Sequence, residues 1–187
     1  MMPVVRINDA TFADLSALKT WFGTKTPSET IDRIVREAMD QLGMERDDEP
    51  HEALHESYAE AMEFPTAPGL SFTKPINATV GGKSVQNPKW SSILLAVIAQ
   101  VKGKGLGGDK LVNELHIPAK ATEYDEEGYK YQPDLGISVQ GQSANDAWKE
   151  IERIAQKWHI PVMVKFMWRQ NPKAQYPGKM GVLRAGQ

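Results

Sequence analysis

The chain has 187 residues, 41% of them hydrophobic, a net charge of −2 and no cysteine. That length and apolar fraction suffice for one ordinary domain or two small ones, and they exclude a wholly disordered chain. The lack of cysteine excludes disulfides, thiol catalysis and cysteine-held zinc or iron–sulfur centres, and it agrees with a reducing compartment. The small net charge hides an asymmetry: residues 44–64 carry eight acids and one base, whereas residues 153–187 carry seven bases and no acid. Such blocks point to separate tasks, or to an attraction between them within the chain. The first residues lack a signal-peptide pattern, and the longest apolar run, residues 93–99, is too short to span a bilayer. A soluble, cytoplasmic protein without membrane contact is therefore expected.

Residues 4–8, Val-Val-Arg-Ile-Asn, read as a short strand with Val5 and Ile7 on one face and Val4 and Arg6 on the other. Asn8 or Asp9 caps a first helix, residues 10–22, in which Phe12, Leu15, Leu18 and Phe22 share a side, and Gly23 breaks it. Thr26-Pro27-Ser28-Glu29 is a capping box with proline at the first helical position. It opens a helix over 27–42 with the apolar stripe Ile31, Ile34, Val35, Ala38, Met39 and Leu42, stopped by Gly43.

One strand and two helices in roughly forty residues bury too little surface to fold alone, and the strand has two unpaired edges. A two-fold partner solves both problems. The segment resembles the ribbon-helix-helix family of DNA-binding dimers, the MetJ/Arc/CopG type, through the strand 4–8, the helix 10–22, the Gly-containing turn 23–25 and the helix 27–42. The resemblance covers under a quarter of the chain. It implies that the paired strands enter the major groove with Met2, Val4 and Arg6 facing the bases. It also implies that Lys25, Thr26 and Ser28, at the start of the second helix, hold a phosphate. Arg6 is the one strong base reader; Val4 and Met2 can touch only apolar features such as thymine methyls.

Residues 44–69 read as an acidic linker, with a short helix over 51–64 carrying Leu54, Tyr58 and Met62 on one stripe. His51-Glu52-Ala53-Leu54-His55 has the HExxH spacing of zinc proteases. Acids crowd it, Pro50 precedes the first His and no third ligand stands out, so it is read as a chance match.

Beyond residue 70, the Gly81-Gly82 pair between residues 76–80 and 83–85 marks a hairpin. Asn87-Pro88 starts a helix whose stripe of Trp90, Ile93, Leu94, Val97, Ile98 and Val101 belongs in the core. The Gly- and Lys-rich run 102–110 lacks the P-loop string and reads as a solvated turn. Asp109 caps a short helix over 110–115, with His116 at its end. Residues 123–142 read as a second hairpin turning at 126–128. Ser143 caps a helix with Ala147, Trp148, Ile151, Ile154, Ala155 and Trp158 on one face. Ile160, Val162, Val164, Phe166 and Trp168 share a face of the domain's strongest strand. In the tail, Arg169, Lys173, Lys179 and Arg184 surround Tyr176 without an acid, a pattern suited to a phosphate backbone with an aromatic to stack.

The nucleophile menu is thin. The carboxylates Glu123, Asp125, Glu126, Glu127 and Asp134, with Lys130 among them, are the one set from which a metal-dependent nuclease could be built, and a solvated edge that discourages strand addition is the simpler reading. The sequence therefore implies an α+β protein. A ribbon-helix-helix dimerisation domain (1–43) is followed by an acidic linker (44–69) and an α+β domain with a small, mainly antiparallel sheet and a basic end (70–187). The expected function is that of a sequence-specific, repressor-like regulator binding double-stranded DNA as a homodimer at a palindromic operator, with no cofactor, metal or catalytic residue assigned. The alternatives are an antitoxin-like protein-interaction module and a metal-dependent nuclease.

Overall fold

The computed structural model describes residues 5–44 and 61–187. The chain divides into two units, Met1–Met39 and Asp40–Gln187. Met2, Val4, the HExxH string and all but the last residues of the helix expected over 51–64 lie outside the described residues.

In the first unit, α1 (Asp9–Phe22) starts where Asn8 accepts a 2.7 Å bond from the Thr11 amide and ends at Gly23 in the left-handed region. The second helix, α2 (Pro27–Leu42), has a last turn that from Asp40 onward belongs to the second unit. Thr26 Oγ1 accepts the Glu29 amide at 3.2 Å, and the Glu29 carboxylate reaches back to the Lys25 amide at 2.7 Å. The reciprocal half of the capping box thus lands one residue before the cap. Thr30 is fully buried: its hydroxyl bonds the Thr26 carbonyl and lies 2.6 Å from Thr24 Oγ1, which locks the turn between the helices. Arg33 clamps the end of α1 by donating to the Phe22 carbonyl at 2.8 Å with its guanidinium 4.7 Å over the Phe22 ring. Residues 5–8 belong to no sheet of the single chain.

The second unit is α+β with two sheets, where the sequence had indicated one small one. The larger sheet has the order β1-β8-β7-β2-β3, formed by β1 (Met62–Glu63), β2 (Thr73–Val80), β3 (Lys83–Ser84), β7 (Val162–Trp168) and β8 (Met180–Ala185). All its pairings are antiparallel except β1 with β8, which is parallel. Met62 and Glu63, expected to finish a helix, are therefore strand: two residues are too few to show a period. The smaller sheet has the order β4-β6-β5, from β4 (Ala119–Lys120), β5 (Tyr129–Gln132) and β6 (Ile137–Gln140). Its hairpin bends after Gln132, at Gly136 (φ 69°), rather than at 126–128, because Gly128 closes the turn that leads into β5.

One face of the large sheet carries Val162, Val164, Phe166 and Trp168, all buried under α3 (Trp90–Gly103) and α5 (Ala144–Trp158). Trp90 packs on Phe166 at 5.7 Å and on Trp148 at 6.3 Å. The polar ends of two of these rings are satisfied: Trp90 Nε1 donates to Thr73 Oγ1 at 3.1 Å and Trp168 Nε1 to the Gly69 carbonyl at 3.0 Å. The short helix α4 (Asp109–Glu114) is capped by Gly108, one residue earlier than expected. Ser143 caps α5, accepting the Asp146 amide at 3.2 Å.

Candidate nucleic-acid interface

The first unit keeps few of its apolar side chains from water. Leu15 is its one buried hydrophobic among the described residues, while Ile7, Phe12, Leu18, Ile31 and Val35 are 36–52% exposed and Val5 is 82% exposed; Leu42, in the last turn of α2, is 45% exposed. Val5 and Ile7 alternate with Arg6 along the N-terminal residues. Ile31, Val35, Ala38 and Leu42 repeat at intervals of four, three and four, which draws one line along α2. Arg6, the expected base reader, lies exposed between Val5 and Ile7, on the opposite side if the chain is extended there. Of the expected phosphate site, Lys25 and Ser28 are exposed, but the Lys25 amide is already taken by Glu29.

The basic tail is more internally paired than its composition indicated. Arg169 is half-buried and ion-paired with Asp40 at 3.2 Å, and its amide donates to the Phe72 carbonyl at 2.7 Å. Arg184 meets Glu63 at 3.3 Å. The attraction between the acidic middle and the basic end of the sequence is thus realised at Glu63. The Tyr176 ring meets Trp168 edge-on at 5.0 Å and lies tilted 6.1 Å from Phe64, so it is packed on one side while remaining 36% exposed. Lys173 and Lys179 are exposed, on the loop 169–179 that returns the chain to β8.

Two lysines of the Gly-rich run are engaged within the fold. Lys102 Nζ donates to the Asp134 carbonyl and Lys104 Nζ to the Trp158 carbonyl, both at 2.6 Å. Lys104 thereby serves the C-terminal end of α5, where a cation is favoured. The carboxylates of 123–134 are dispersed in role. Asp125 accepts the Tyr131 amide at 2.7 Å and so occupies the outer edge of β5. Glu127 hydrogen-bonds the Tyr124 hydroxyl and holds it above the usual phenol range. Lys120 Nζ lies 3.2 Å from the Tyr124 ring centroid and 4.6 Å from that of Tyr129. Among the described residues, no group of three or more His, Asp or Glu converges as a metal site would require.

An open cleft of about 420 Å³ runs along α5, lined by His116, Gln142, Asp146, Lys149 and Glu152 among others. Its floor is Glu150, 3% exposed, which accepts the His116 amide at 2.8 Å and Arg153 at 2.8 and 2.9 Å. Those bonds hold Arg153 above the ordinary guanidinium value. Arg153 also donates to the Glu114 carbonyl at 2.6 Å, and the Glu114 carboxylate takes Lys157 at 2.8 Å and Trp158 Nε1 at 3.0 Å. Burial raises the Glu114 pKa, but the bonds from Lys157 and Trp158 and the charges of Lys157 and Arg153 outweigh it and hold the carboxyl below its usual value. This network, in which Glu150 alone is buried, braces α4 against α5, and its bonds serve the fold.

Sequence reading missed the partners Asp40 and Glu63, which lie far from their arginines in the chain. It also left unused the second face of the large sheet, whose signal was present in β7: Met163, Lys165 and Met167 alternate with the buried set. No protein family, curated protein or solved structure matches this chain.

Proposed function

We propose that the chain is a sequence-specific DNA-binding regulator that acts as a homodimer through an N-terminal ribbon-helix-helix. The observation that carries this reading is the first unit's unburied apolar set. Side chains placed at strand and helix spacings, capped and turned as a folded unit is, remain half open to water in the single chain. Such a surface is half of a core. Antiparallel pairing of residues 4–8 from two copies turns Val5 and Ile7 toward the four helices. Arg6, with Met2 and Val4, then faces outward as a two-stranded ribbon of the width a major groove admits. Two copies imply two half-sites and a palindromic operator. Arg6 is suited to a bidentate contact with guanine. Exposed Lys173 and Lys179 are suited to sequence-independent affinity. Arg169 and Arg184, already paired with acids, are assigned to the fold.

The test is selection of duplexes from a random library by the full-length protein, followed by a mobility-shift titration over a salt series. A palindromic consensus whose retention requires Arg6 supports the reading. Absence of any shift at low salt, or a shift indifferent to sequence, refutes it.

A further inference from the structure

The large sheet has a second face that contributes nothing to the core. On it, β2, β7 and β8 set out three cross-strand rows: Lys74–Met167–Met180, Asn77–Lys165–Val182 and Thr79–Met163–Arg184. Ile76 joins them at the bulge in β2. All except exposed Asn77 and Arg184 are half-buried, and none of the apolar ones belongs to the core cluster or its packed periphery. Both helices that cover the sheet, α3 and α5, lie on the opposite side with Trp90, Phe166 and Trp168. A groove of about 310 Å³ extends the face past β8, lined by Glu63, Phe64, Pro65, Val182 and Arg184.

The composition of this face is specific. Its apolar area is three methionines with Ile76 and Val182, flexible side chains that remould around a guest. Its charges are Lys74, Lys165 and Arg184 against one acid, Glu63, which is already bonded to Arg184 at 3.3 Å. Among the described residues, Lys74 and Lys165 make no ion pair. Lys74 and Arg184 stand at opposite corners of the rows and Lys165 at their centre, among the methionines, so the surface asks for an apolar stripe with negative charge close along it.

We propose that this face is a docking surface for an acidic amphipathic helix of a partner protein. The dimensions agree. Three strands at about 4.8 Å spacing span about 10 Å, the width of a helix with its side chains. The seven residues of β7 run for about 20 Å, which matches a helix of about 14 residues. A strand is the poorer guest, because β3 already takes Thr79–Val80 of β2, β1 takes Gly181–Val182 of β8, and Pro75 in β2 has no amide to give. Single-stranded nucleic acid shares the charge preference, but it binds through aromatic platforms, and no Phe, Tyr or Trp stands in the three rows.

The probe is a synthetic amphipathic peptide of about 16 residues, with leucine on one stripe and glutamate on both flanks. Its binding to the full-length protein is followed by fluorescence anisotropy, beside a lysine-flanked version and an oligothymidylate. The acidic peptide is expected to bind, the lysine version not to, and Lys165→Glu or Met167→Glu to weaken binding at least tenfold while leaving the melting temperature near that of the wild type. In the unmodified protein, the methyl NMR signals of Met163, Met167 and Met180 are expected to shift on titration, which needs no variant. The proposal is overturned if the acidic peptide does not bind or those three methyls do not move. It is equally overturned if oligothymidylate displaces the peptide, or if Met167→Glu acts only by abolishing self-association, which would assign the face to a second copy. The face is built from β2, β7 and β8 and uses no residue assigned to DNA contact through the N-terminal segment, so failure here leaves the DNA-binding reading standing.

Discussion

On the proposed pairing of two copies, replacing Val35 by glutamate should leave the chain monomeric without unfolding it. Val35 is 45% exposed on the α2 line with Ile31, Ala38 and Leu42. Complete burial of a side chain of this kind yields about 1.5–3 kcal/mol, so covering a half-exposed one yields about 1 kcal/mol. The exposed set of Val5, Ile7, Phe12, Leu18, Ile31, Val35 and Leu42, present in both copies, then gives about 14 kcal/mol of gross burial. Association itself costs about 4–15 kcal/mol, so the surplus runs from nothing to about 10 kcal/mol, and micromolar affinity, about 8 kcal/mol, requires a cost near the lower end of that range. Val35→Glu forfeits its own burial in both copies and puts two carboxylates in an apolar seam. An unpaired buried charge costs about 3–5 kcal/mol, so the dissociation constant should rise by more than about a hundredfold. Sedimentation equilibrium of the full-length protein over about 0.1–100 µM reads this directly, with circular dichroism as a check that helix content is retained. A wild-type chain that stays monomeric across that range, or a Val35→Glu variant that associates as the wild type does, would refute the reasoning.

Other outcomes follow from the same structure. Arg6→Ala should weaken binding to a selected operator by about 1–3 kcal/mol and relax specificity at one base pair, with little change on random duplex; competition mobility shifts measure both. Lys179→Gln should lower affinity for all sequences alike and reduce the salt slope by about 1, whereas Arg169→Ala should act on stability, by about 1 kcal/mol in urea, through loss of its ion pair with Asp40. Glu114 titrates below its usual value in the folded chain, so the stability it supplies is present above the unfolded pKa and is lost as pH falls through the folded one. The difference in unfolding free energy between wild type and Glu114→Gln should therefore close on acidification below the usual carboxylate range. Gly43→Ala should destabilise by about 1–2 kcal/mol, because Gly43 has φ of 68° and its Cβ would lie 2.5 Å from that of Ala144; thermal melting tests it.

Sequence pattern reached the elements whose signal is local. The helices α1, α2 and α5 carry a period, a cap and a stop within their own residues, and β7 alternates over its whole length. It failed where the cause lies far along the chain. The strand β1 is two residues long and exists because Met62 pairs with Gly181; no window around residue 62 contains that fact. Gly128 and Gly136 both have positive φ, so the choice of which one turns the hairpin rests on the register of β5 with β6. The basic tail showed its charge but not its acids: Arg184 finds Glu63 from 121 residues away, and Arg169 finds Asp40. What remained legible at the candidate interface was the N-terminal segment, where Arg6 and the apolar residues that flank it are adjacent in sequence.

The way the two sheets end bears on how copies of the protein can meet. The large sheet finishes in two-residue strands on both sides, β4 is equally brief, and the Tyr131 amide on β5 is held by Asp125. The short strands cover Thr79–Val80 of β2 and Gly181–Val182 of β8, and Pro75 interrupts the amides of the rest of β2, so these borders offer a stranger only short stretches of exposed backbone, one of the ways folded proteins resist fibre growth. Concentrated solutions should accordingly stay free of cross-β aggregates, and any stoichiometric association seen in them has to be traced to side-chain surfaces instead.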